Sequence, residues 1–408
     1  NKVSLLTNGT AQSQEDQLEK AIENLEFSFS NAIYELQEEK EKKIAVLSGN
    51  GELSDVQLYS FLSEVTKKHR LAKFTLDSVT TNPLKTLLDL QQFDLTIIAK
   101  PTQPFTENEK LVLDQYIING GKTLWMLENV QADTDSLYNN GSMLAYPRDL
   151  NLTDFFFSYG LRVNATLLQD LYAAKIPLAT GNIGNKPQFQ NLNWFYHPLV
   201  SGNPNHAISK NITPVRLRFA NQIDTLQNNL KKTPLLMSSM LTKKVGTPAI
   251  IELNSIANEP REEEFSSGFQ ITGLLTEGLF NSMYTDRVKP FSIHNFRKKS
   301  LYNKMVVISD GDIGRNQLQK GKPFDLARDK WTDEQFGNKE FLLNVIDYLL
   351  DDNGLIELRN KNIQINLLDK KRAFEERTFW QFINIALPLF ILTIFGCVFH
   401  YLRKRKYS

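Results

Sequence analysis

One stretch near the carboxyl end of the chain is long enough and apolar enough to cross a lipid bilayer. Residues 379–402 read FWQFINIALPLFILTIFGCVFHYL, contain no Asp, Glu, Lys or Arg, and are followed by a basic cluster at 403–406. At a rise of about 1.5 Å per residue, roughly 20 apolar residues span a hydrocarbon core of about 30 Å. Trp380 and Tyr401 lie near the two ends, where amphipathic rings favour the headgroup region. The sequence therefore predicts a single transmembrane helix over 379–402.

Basic residues flank this predicted helix on both sides. Lys370, Lys371, Arg372 and Arg377 precede it, and the cluster at 403–406 follows it. The positive-inside rule counts Lys and Arg near the two ends, and here the two counts are equal. The charges therefore leave the direction of the helix open.

Within the helix, Pro388 and Gly396 are the positions where we expect close packing against another helix. Small residues are common at helix contacts inside a membrane.

The composition describes an ordinary globular protein with an anchor. A length of 408 residues favours two or three domains, and 41% hydrophobic and 23% charged residues argue against disorder. The net charge of +1 gives no general electrostatic case for nucleic acid. The single cysteine, Cys397, lies inside the predicted membrane helix. We therefore expect the folded part to have no disulfide, no thiolate nucleophile and no cysteine-based metal site.

The first part of the chain alternates between helix and strand patterns. Residues 1–42 form an N-terminal region in which apolar residues at three- and four-residue steps predict an amphipathic helix over 14–40: Leu18, Ile22, Leu25, Phe29, Ile33 and Leu36. Region 43–168 then predicts strands at 43–48, 72–76, 94–99 and 122–127 and helices at 55–69, 83–90 and 106–120. Strands that alternate with helices favour an α/β domain built of βαβ units around a parallel sheet.

Region 169–354 is less regular, and we interpret it as a second α/β or α+β region. Its stretch 179–211 is rich in Gly, Pro and Asn, which predicts a long irregular loop, and such loops often form interaction surfaces. An amphipathic helix is predicted over 338–350, with Phe341, Leu342, Val345, Ile346 and Leu349 on its apolar face. Residues 355–378 connect this region to the membrane helix.

Two short motifs follow predicted strands and are candidate ligand-binding sites. The turn Gly49-Asn50-Gly51 follows a strand but lacks the glycines and lysine of a phosphate-binding loop, so a structural turn is the better interpretation. Asp310 and Asp312 follow another strand, at the edge where α/β folds bind ligands, and two carboxylates could hold a hard cation. A turn capped by aspartate is the alternative that we favour, since the EF-hand spacing is absent.

Catalytic patterns are missing from the sequence. The five histidines lie in neither a GxSxG nor an HExxH frame. The order of elements in region 43–168 is glutamine-amidotransferase-like, but enzymes of that fold use a cysteine, and Cys397 lies in the predicted membrane helix. We therefore predict a chain that is not an enzyme, without catalytic residues, cofactor or bound metal. Trp194, Tyr196, His197, Asp310 and Asp312 are the candidate interaction residues.

Several segments resemble the GldG family, the gliding-motility-associated auxiliary components of ABC transporters in Bacteroidota. These segments are KKIAVLSGNGEL, PFTENEKLVLDQYIINGGKTLWML, LLQDLYAAKIPLATGNIGNKPQFQNLNWFYHPLV, VVISDGDIGRNQ and NKEFLLNVIDYLLDDNGLIELRNK. The resemblance covers essentially the whole chain. The shorter βα pieces also resemble the wider family of ABC-transporter auxiliary domains, including those similar to an intraflagellar-transport protein domain.

The resemblance implies an architecture and partners. Members of the family carry an N-terminal membrane helix and a further soluble region, so a chain that begins at Asn1 is expected to be an N-terminally shortened form. The bulk of the chain would lie in the periplasm, anchored in the bacterial inner membrane, with a basic cytoplasmic tail at 403–408. The implied partners are membrane lipid, a multi-spanning permease subunit, a cytoplasmic ATPase and additional copies of the chain, with no nucleic acid.

Two functional hypotheses follow. The first is a non-catalytic extracytoplasmic subunit of an ABC-type complex that serves gliding motility and protein secretion, acting by recognition and by mechanical coupling to the permease. The alternative is a small-molecule solute-binding protein of an ABC importer, with its ligand held around Trp194, Tyr196 and Asp310 in a cleft between two α/β domains. The family is described as a substrate-binding component, but no ligand residues carry over from it.

Overall fold

The structure is a computed structural model that describes residues 21–22, 25–37, 42–183, 186–360 and 370–407. The chain divides into two compact units, 1–361 and 362–408, and each is treated separately below. Part of the predicted N-terminal helix, part of the connection at 355–378 and the last residue of the basic tail lie outside the described residues.

The helices and strands of the described residues are numbered in chain order. The α-helices are α1 (Leu25–Gln37), α2 (Asp55–Val65), α3 (Pro83–Leu90), α4 (Glu107–Ile118), α5 (Thr134–Asn140), α6 (Thr153–Ser158), α7 (Asn338–Leu350), α8 (Lys370–Glu375) and α9 (Arg377–Tyr407). The strands are β1 (Lys43–Ser48), β2 (Arg70–Thr75), β3 (Leu95–Ala99), β4 (Lys122–Met126), β5 (Val130–Gln131), β6 (Ser142–Pro147), β7 (Leu161–Val163), β8 (Thr166–Asp170), β9 (Ala173–Ile183), β10 (Lys186–Gly202), β11 (Val215–Arg216), β12 (Ile223–Thr225), β13 (Lys231–Met237), β14 (Thr242–Gly246), β15 (Ala249–Glu252), β16 (Ile271–Asn281), β17 (Lys299–Ile308), β18 (Leu318–Gln319) and β19 (Lys322–Pro323). Short 3-10 helices lie at Asp77–Thr80, Leu253–Ala257, Glu262–Glu264 and Leu355–Asn360.

One mixed sheet organises the first unit. Its strands follow the order β11-β10-β13-β16-β17-β4-β3-β1-β2, and β9 pairs with β10 outside this path. The pairs from β2 to β17 are parallel, whereas β17 pairs with β16 antiparallel and the antiparallel pattern continues through β13 to β10. Strand β3 is buried along its whole length, which is typical of a parallel strand covered on both faces. The predicted parallel βαβ arrangement is therefore confirmed for one half of the sheet.

The other half of the sheet is formed by strands from the later part of the chain. Strands β10, β13, β16 and β17 come from the region 169–354, and they join the same sheet as the strands of region 43–168. The mixed α/β class is confirmed, but a glutamine-amidotransferase-like fold is not.

The predicted irregular loop over 179–211 is wrong for most of its length. Strands β9 and β10 form a long antiparallel pair that runs from Ala173 opposite Pro198 to Ile183 opposite Lys186. Turns occupy 203–211. Pro177 lies in β9, which among the described strands pairs with β10 alone, so its missing N–H breaks no hydrogen bond to a further strand there. Proline and glycine therefore mark an edge hairpin here, where the sequence pattern had indicated a loop.

Two clusters of buried apolar side chains fill the space on the two sides of this sheet, and a third, smaller one lies beside them. Helix α7 packs into the first cluster through the apolar face expected from the sequence: Phe341, Leu342, Val345, Ile346 and Leu349 are all buried. Helix α4 belongs to the second cluster, and its residues are buried continuously from Glu109 to Ile118.

The second unit contains α8 and α9. Helix α9 has 31 residues and a mean hydropathy of 2.4 in its most apolar window, none of which is buried. Among the described residues it is the helix long and apolar enough to cross a membrane. The predicted span at 379–402 lies entirely inside it, with Pro388 in its interior, and a Cβ at Gly396 would meet no other atom within 4 Å.

Candidate functional site

Charged side chains collect where the parallel strands end. Lys100 follows β3 directly, Glu128 comes two residues after β4, and Asp310 and Asp312 follow β17. Because these three strands are parallel neighbours, their carboxyl ends lie at one edge of the sheet. The fold therefore gathers four charged residues at the edge where α/β proteins commonly place ligands.

Lys100 is a buried cation held between two carboxylates. Its Nζ lies 2.7 Å from Glu128 Oε2 and 2.7 Å from Asp312 Oδ2, and all three residues are buried. The backbone of Lys100 is in the left-handed region, with φ of 54°, which is uncommon for a residue other than glycine. A Cβ at Gly311 would lie 2.5 Å from Lys100 Cγ, so the lysine stem occupies the space that a side chain at 311 would need. This close approach explains the glycine between the two aspartates.

The Asp310 carboxylate is used within the turn. It accepts hydrogen bonds from the backbone N–H of Asp312, at 2.7 Å, and from that of Arg218, at 2.8 Å. The structure thus agrees with an aspartate-capped turn. Within the described residues, no group of three or more His, Cys, Asp or Glu side chains is placed to hold a metal ion.

The four groups titrate differently. Burial raises the pKa of Glu128 to about 7 against the opposing charge of Lys100. Burial and then repulsion from Asp312 raise the pKa of Asp310 to about 7. Burial would also raise the pKa of Asp312, but Lys100, Arg218 and Arg315 outweigh it and lower that pKa to about 2. At pH 7 Asp312 is therefore ionised, while Glu128 and Asp310 are close to their midpoints.

Lys100 keeps its proton in this surrounding. Burial opposes the positive charge, but the carboxylates of Asp312 and then Glu128 outweigh it and raise the lysine pKa. A lysine acts as a nucleophile or base only when its pKa is lowered, so this one is an ion-pair partner. Lys100 therefore holds a buried positive charge between Glu128 and Asp312.

A polar cavity of about 250 Å³ lies beside this cluster, and it is lined by three arginines. Arg216 is buried, lies 2.5 Å from Asp329 and stacks over the ring of Phe336. Arg315 contacts Asp312 at 3.5 Å and Asp135 at 3.5 Å. We call this cavity the arginine pocket and define it by His197, Arg216, Arg218 and Arg315.

The candidate residues from β10 divide between the core and the arginine pocket. Trp194 and Tyr196 belong to the smallest apolar cluster, where their rings lie 5.4 Å apart, and both are buried. His197 lines the arginine pocket, and its ring packs against Phe219 at 5.6 Å. The ligand site that the sequence predicts around Trp194, Tyr196 and Asp310 is therefore filled by packed side chains. The two regions that were expected to flank a cleft share one continuous sheet.

Sequence reasoning missed five charged residues of this site: Lys100, Glu128, Arg216, Arg218 and Arg315. A signal for two of them was present, since Lys100 and Glu128 directly follow the predicted strands at 94–99 and 122–127. The same argument that singled out Asp310 and Asp312 applies to both positions. The three arginines come from the segment after β10 and from the loop after β17, and no sequence signal links these.

Comparison with known proteins shows the family of this chain. A family model described as "ABC-type uncharacterized transport system" matches residues 41–345. The model represents auxiliary components of ABC transporters. This chain belongs to that family. Among solved structures, the chain is similar to one titled "mmIFT52 N-terminal domain", with 14% identity, coverage of 79% of this chain and 100% of that chain, and a TM-score of 0.41. A comparison with curated proteins finds no match.

Proposed function

We propose that the chain is the non-catalytic, membrane-anchored extracytoplasmic subunit of an ABC-type complex that serves gliding motility and protein secretion. Its partners would be a multi-spanning permease subunit, a cytoplasmic ATPase, membrane lipid and further copies of the chain. Helix α9 would sit in the bacterial inner membrane, with the first unit in the periplasm and the basic residues at 403–406 in the cytoplasm. These finer assignments rest on the resemblance to the GldG family.

The observation that carries the proposal is that one chain joins the family region at 41–345 to helix α9. An auxiliary component must reach a permease that lies in the membrane, and an apolar helix of 31 residues supplies a membrane-embedded surface for that contact. The open surface around Gly396 supports helix–helix packing there, because a small residue lets two helices approach closely.

The buried charge cluster supports a role without catalysis. Lys100 lies 2.7 Å from both Glu128 and Asp312, and the turn uses Asp310. A catalytic nucleophile needs an adjacent base that activates it, and the protonated Lys100 is unsuited to either part. The proposed work is therefore recognition and mechanical coupling, in which changes in the permease pass through α9 and the connection at 355–378.

The test replaces the segment that contains helix α9 and keeps the rest of the chain. In a chimaera, residues 370–408 are replaced by an unrelated single-span membrane helix of equal length. Both tagged chains are purified from native membranes, and the copurified proteins are identified by mass spectrometry. We expect the native chain to bring along a multi-spanning permease and an ATPase, and the chimaera to lose both while its body keeps the same thermal unfolding. Normal assembly of the chimaera would refute coupling through α9.

A further inference from the structure

We propose that the arginine pocket binds a compact oxyanion, a carboxylate or phosphate group carried by a small molecule. This inference goes beyond the role of the chain as a transporter subunit, and it rests on the contacts of the four residues that define the pocket.

Positive charge exceeds negative charge on the pocket wall. Five basic residues line it, namely Lys175, Arg216, Arg218, Arg315 and Lys330, against three acidic ones, namely Asp133, Asp135 and Asp329. The three carboxylates have partners on the wall. Asp329 pairs with Arg216 at 2.5 Å, and Arg315 contacts Asp133 at 3.9 Å and Asp135 at 3.5 Å. A net positive wall inside a cavity of low dielectric attracts an anion.

Three wall cations stand outside this pairing. Lys175 contacts Glu334 at 3.8 Å and Lys330 donates a hydrogen bond to the backbone O of Leu318 at 2.9 Å, which leaves Arg218. Its backbone N–H donates to Asp310, but its guanidinium makes no hydrogen bond or ion pair with any residue that the structure describes. A half-buried guanidinium carries five N–H donors in a fixed plane, a geometry that matches carboxylate and phosphate oxygens. Arg216 lies two residues earlier and lines the same cavity, so two planar donors face one space.

His197 adds a second unsatisfied polar group to the wall. The residue is only 4% exposed, and its Nε2 has no hydrogen-bond partner among the described residues. Burial, together with Arg218 and Arg216, holds the pKa of His197 well below its usual range, so the imidazole is neutral. A buried polar nitrogen without a partner costs free energy, and an oxyanion in the cavity would accept a hydrogen bond from its N–H tautomer.

The size of the cavity limits the ligand. A volume of about 250 Å³ is smaller than the pockets that hold drug-sized molecules, so a small anion fits better than a bulky one. Tyr138 and Trp331 also line the cavity and supply apolar surface for a short carbon skeleton. The shared chemistry of the ligand is therefore an oxyanion on a small body.

Calorimetric titration of the full-length chain in neutral detergent tests the proposal. Inorganic phosphate and succinate are titrated separately in a buffer of low ionic strength, and the stronger binder identifies the group. We expect saturable binding of one of them. Arg218→Gln should weaken that binding by about tenfold or more, because it removes a charge-assisted hydrogen bond.

Two further variants keep the test decisive. Arg261→Gln removes the same charge from an exposed position outside the pocket, and its binding should equal that of the native chain. Arg218→Lys keeps the charge but loses the planar fork, so we expect an intermediate affinity, and this variant carries the test if Arg218→Gln unfolds. The proposal is overturned if neither anion binds the native chain, or if Arg218→Gln and Arg261→Gln bind alike.

Discussion

Lys100 shows how a single residue can be fixed by its surroundings at the carboxyl edge of the sheet. Its ammonium lies 2.7 Å from both Glu128 and Asp312, and removing the ionised partner, Asp312, would leave a buried unpaired charge, which generally costs about 3–5 kcal/mol. Its stem fills the space above Gly311, and its backbone takes a left-handed conformation. Such uncommon conformations persist only where the surrounding contacts determine them. The cluster is therefore a rigid part of the fold, next to the more open arginine pocket.

The raised pKa values of Glu128 and Asp310 predict how the stability of the protein depends on pH. Both carboxyls have a pKa of about 7 in the folded chain, above the ordinary values of 4.5 and 3.8. Between the ordinary pKa values and about pH 7, the folded state binds more protons than the unfolded state. The free energy of unfolding therefore falls as the pH rises toward 7. Glu128→Gln should reduce this slope, because it removes one titrating group and its charge also contributes to the raised pKa of Asp310.

Urea unfolding of the full-length chain at pH 5, 6 and 7.5 measures this effect. At pH 5 the variant and the native chain should have similar stability, since Glu128 is then protonated. At pH 7.5 the variant should have lost less stability than the native chain. Glu263→Gln changes an exposed carboxylate and serves as the control. Parallel pH profiles for Glu128→Gln and the native chain would contradict the assignment.

At the residue scale, the sequence predicted half of the buried cluster. Asp310 and Asp312 were recognised because they follow an obvious strand, KMVVIS, in a short motif. Lys100 and Glu128 were not, although they occupy equivalent positions after β3 and β4. Their role depends on the lateral order of the strands, and a single sequence does not give that order. The arginines join the site through contacts between segments distant in the chain, which no local pattern reports.

Among the elements, α4 begins with a hydrogen-bonded cap formed by Thr106 and Glu109. Glu109 Oε2 accepts a hydrogen bond from the backbone N–H of Thr106 at 2.6 Å, and Thr106 Oγ1 accepts one from that of Glu109 at 3.3 Å. Together these two hydrogen bonds form a capping box. Glu109 is buried, so water has poor access to its N–H once the Thr106 hydroxyl is removed.

We predict that Thr106→Ala lowers the free energy of unfolding by about 1 kcal/mol, the usual cost of losing an N-cap. Thr80→Ala is the matched control, since the Thr80 hydroxyl is exposed and contacts Asp77 O only at 3.5 Å. The control should change stability by less than about 0.5 kcal/mol. Chemical denaturation of both full-length variants at pH 7 gives the comparison, and equal losses would mean that the cap contributes nothing.

Local sequence patterns predict some of the helices and strands but not others. Strands β1, β3 and β4 and helices α3, α4 and α7 were predicted within a few residues, because each has its own apolar period or stop signal. The composition of 179–211 predicts a loop, but most of that stretch lies in the pair β9–β10. Its residues pair with each other along the hairpin, and that pairing and the burial of Trp194 and Tyr196 stabilise the stretch.

For the whole molecule, the sequence predicted the mixed α/β class and the apolar helix, but not the single sheet that unites residues 43–308. Antiparallel strands from the second half extend the parallel half at β17, and only the pairing of β17 with both β4 and β16 reveals this. Helix α9 was the easiest element to predict, because its signal is the composition of one uninterrupted segment.

Cys397 allows the proposed placement of α9 to be tested without adding a probe, since it is the single cysteine of the chain and lies inside this helix. If α9 crosses the bilayer, a charged, membrane-impermeant maleimide should not label Cys397 in sealed spheroplasts, because the thiol lies in hydrocarbon and the reagent stays in water. Labelling should appear only after the membrane is dissolved in detergent. Labelling in intact spheroplasts equal to that in detergent would show that α9 lies outside the membrane.

The orientation needs cysteines on either side of the helix, in a Cys397→Ser background. Ser255→Cys lies at an exposed position of the first unit, and Lys406→Cys lies at an exposed position after the apolar segment. With the body in the periplasm, the impermeant reagent should label Ser255→Cys in intact spheroplasts and label Lys406→Cys only after the membrane is opened. The opposite pattern would place the body in the cytoplasm. The charge count on the two sides of α9 is equal, so this labelling pattern decides a question that the positive-inside rule leaves undecided.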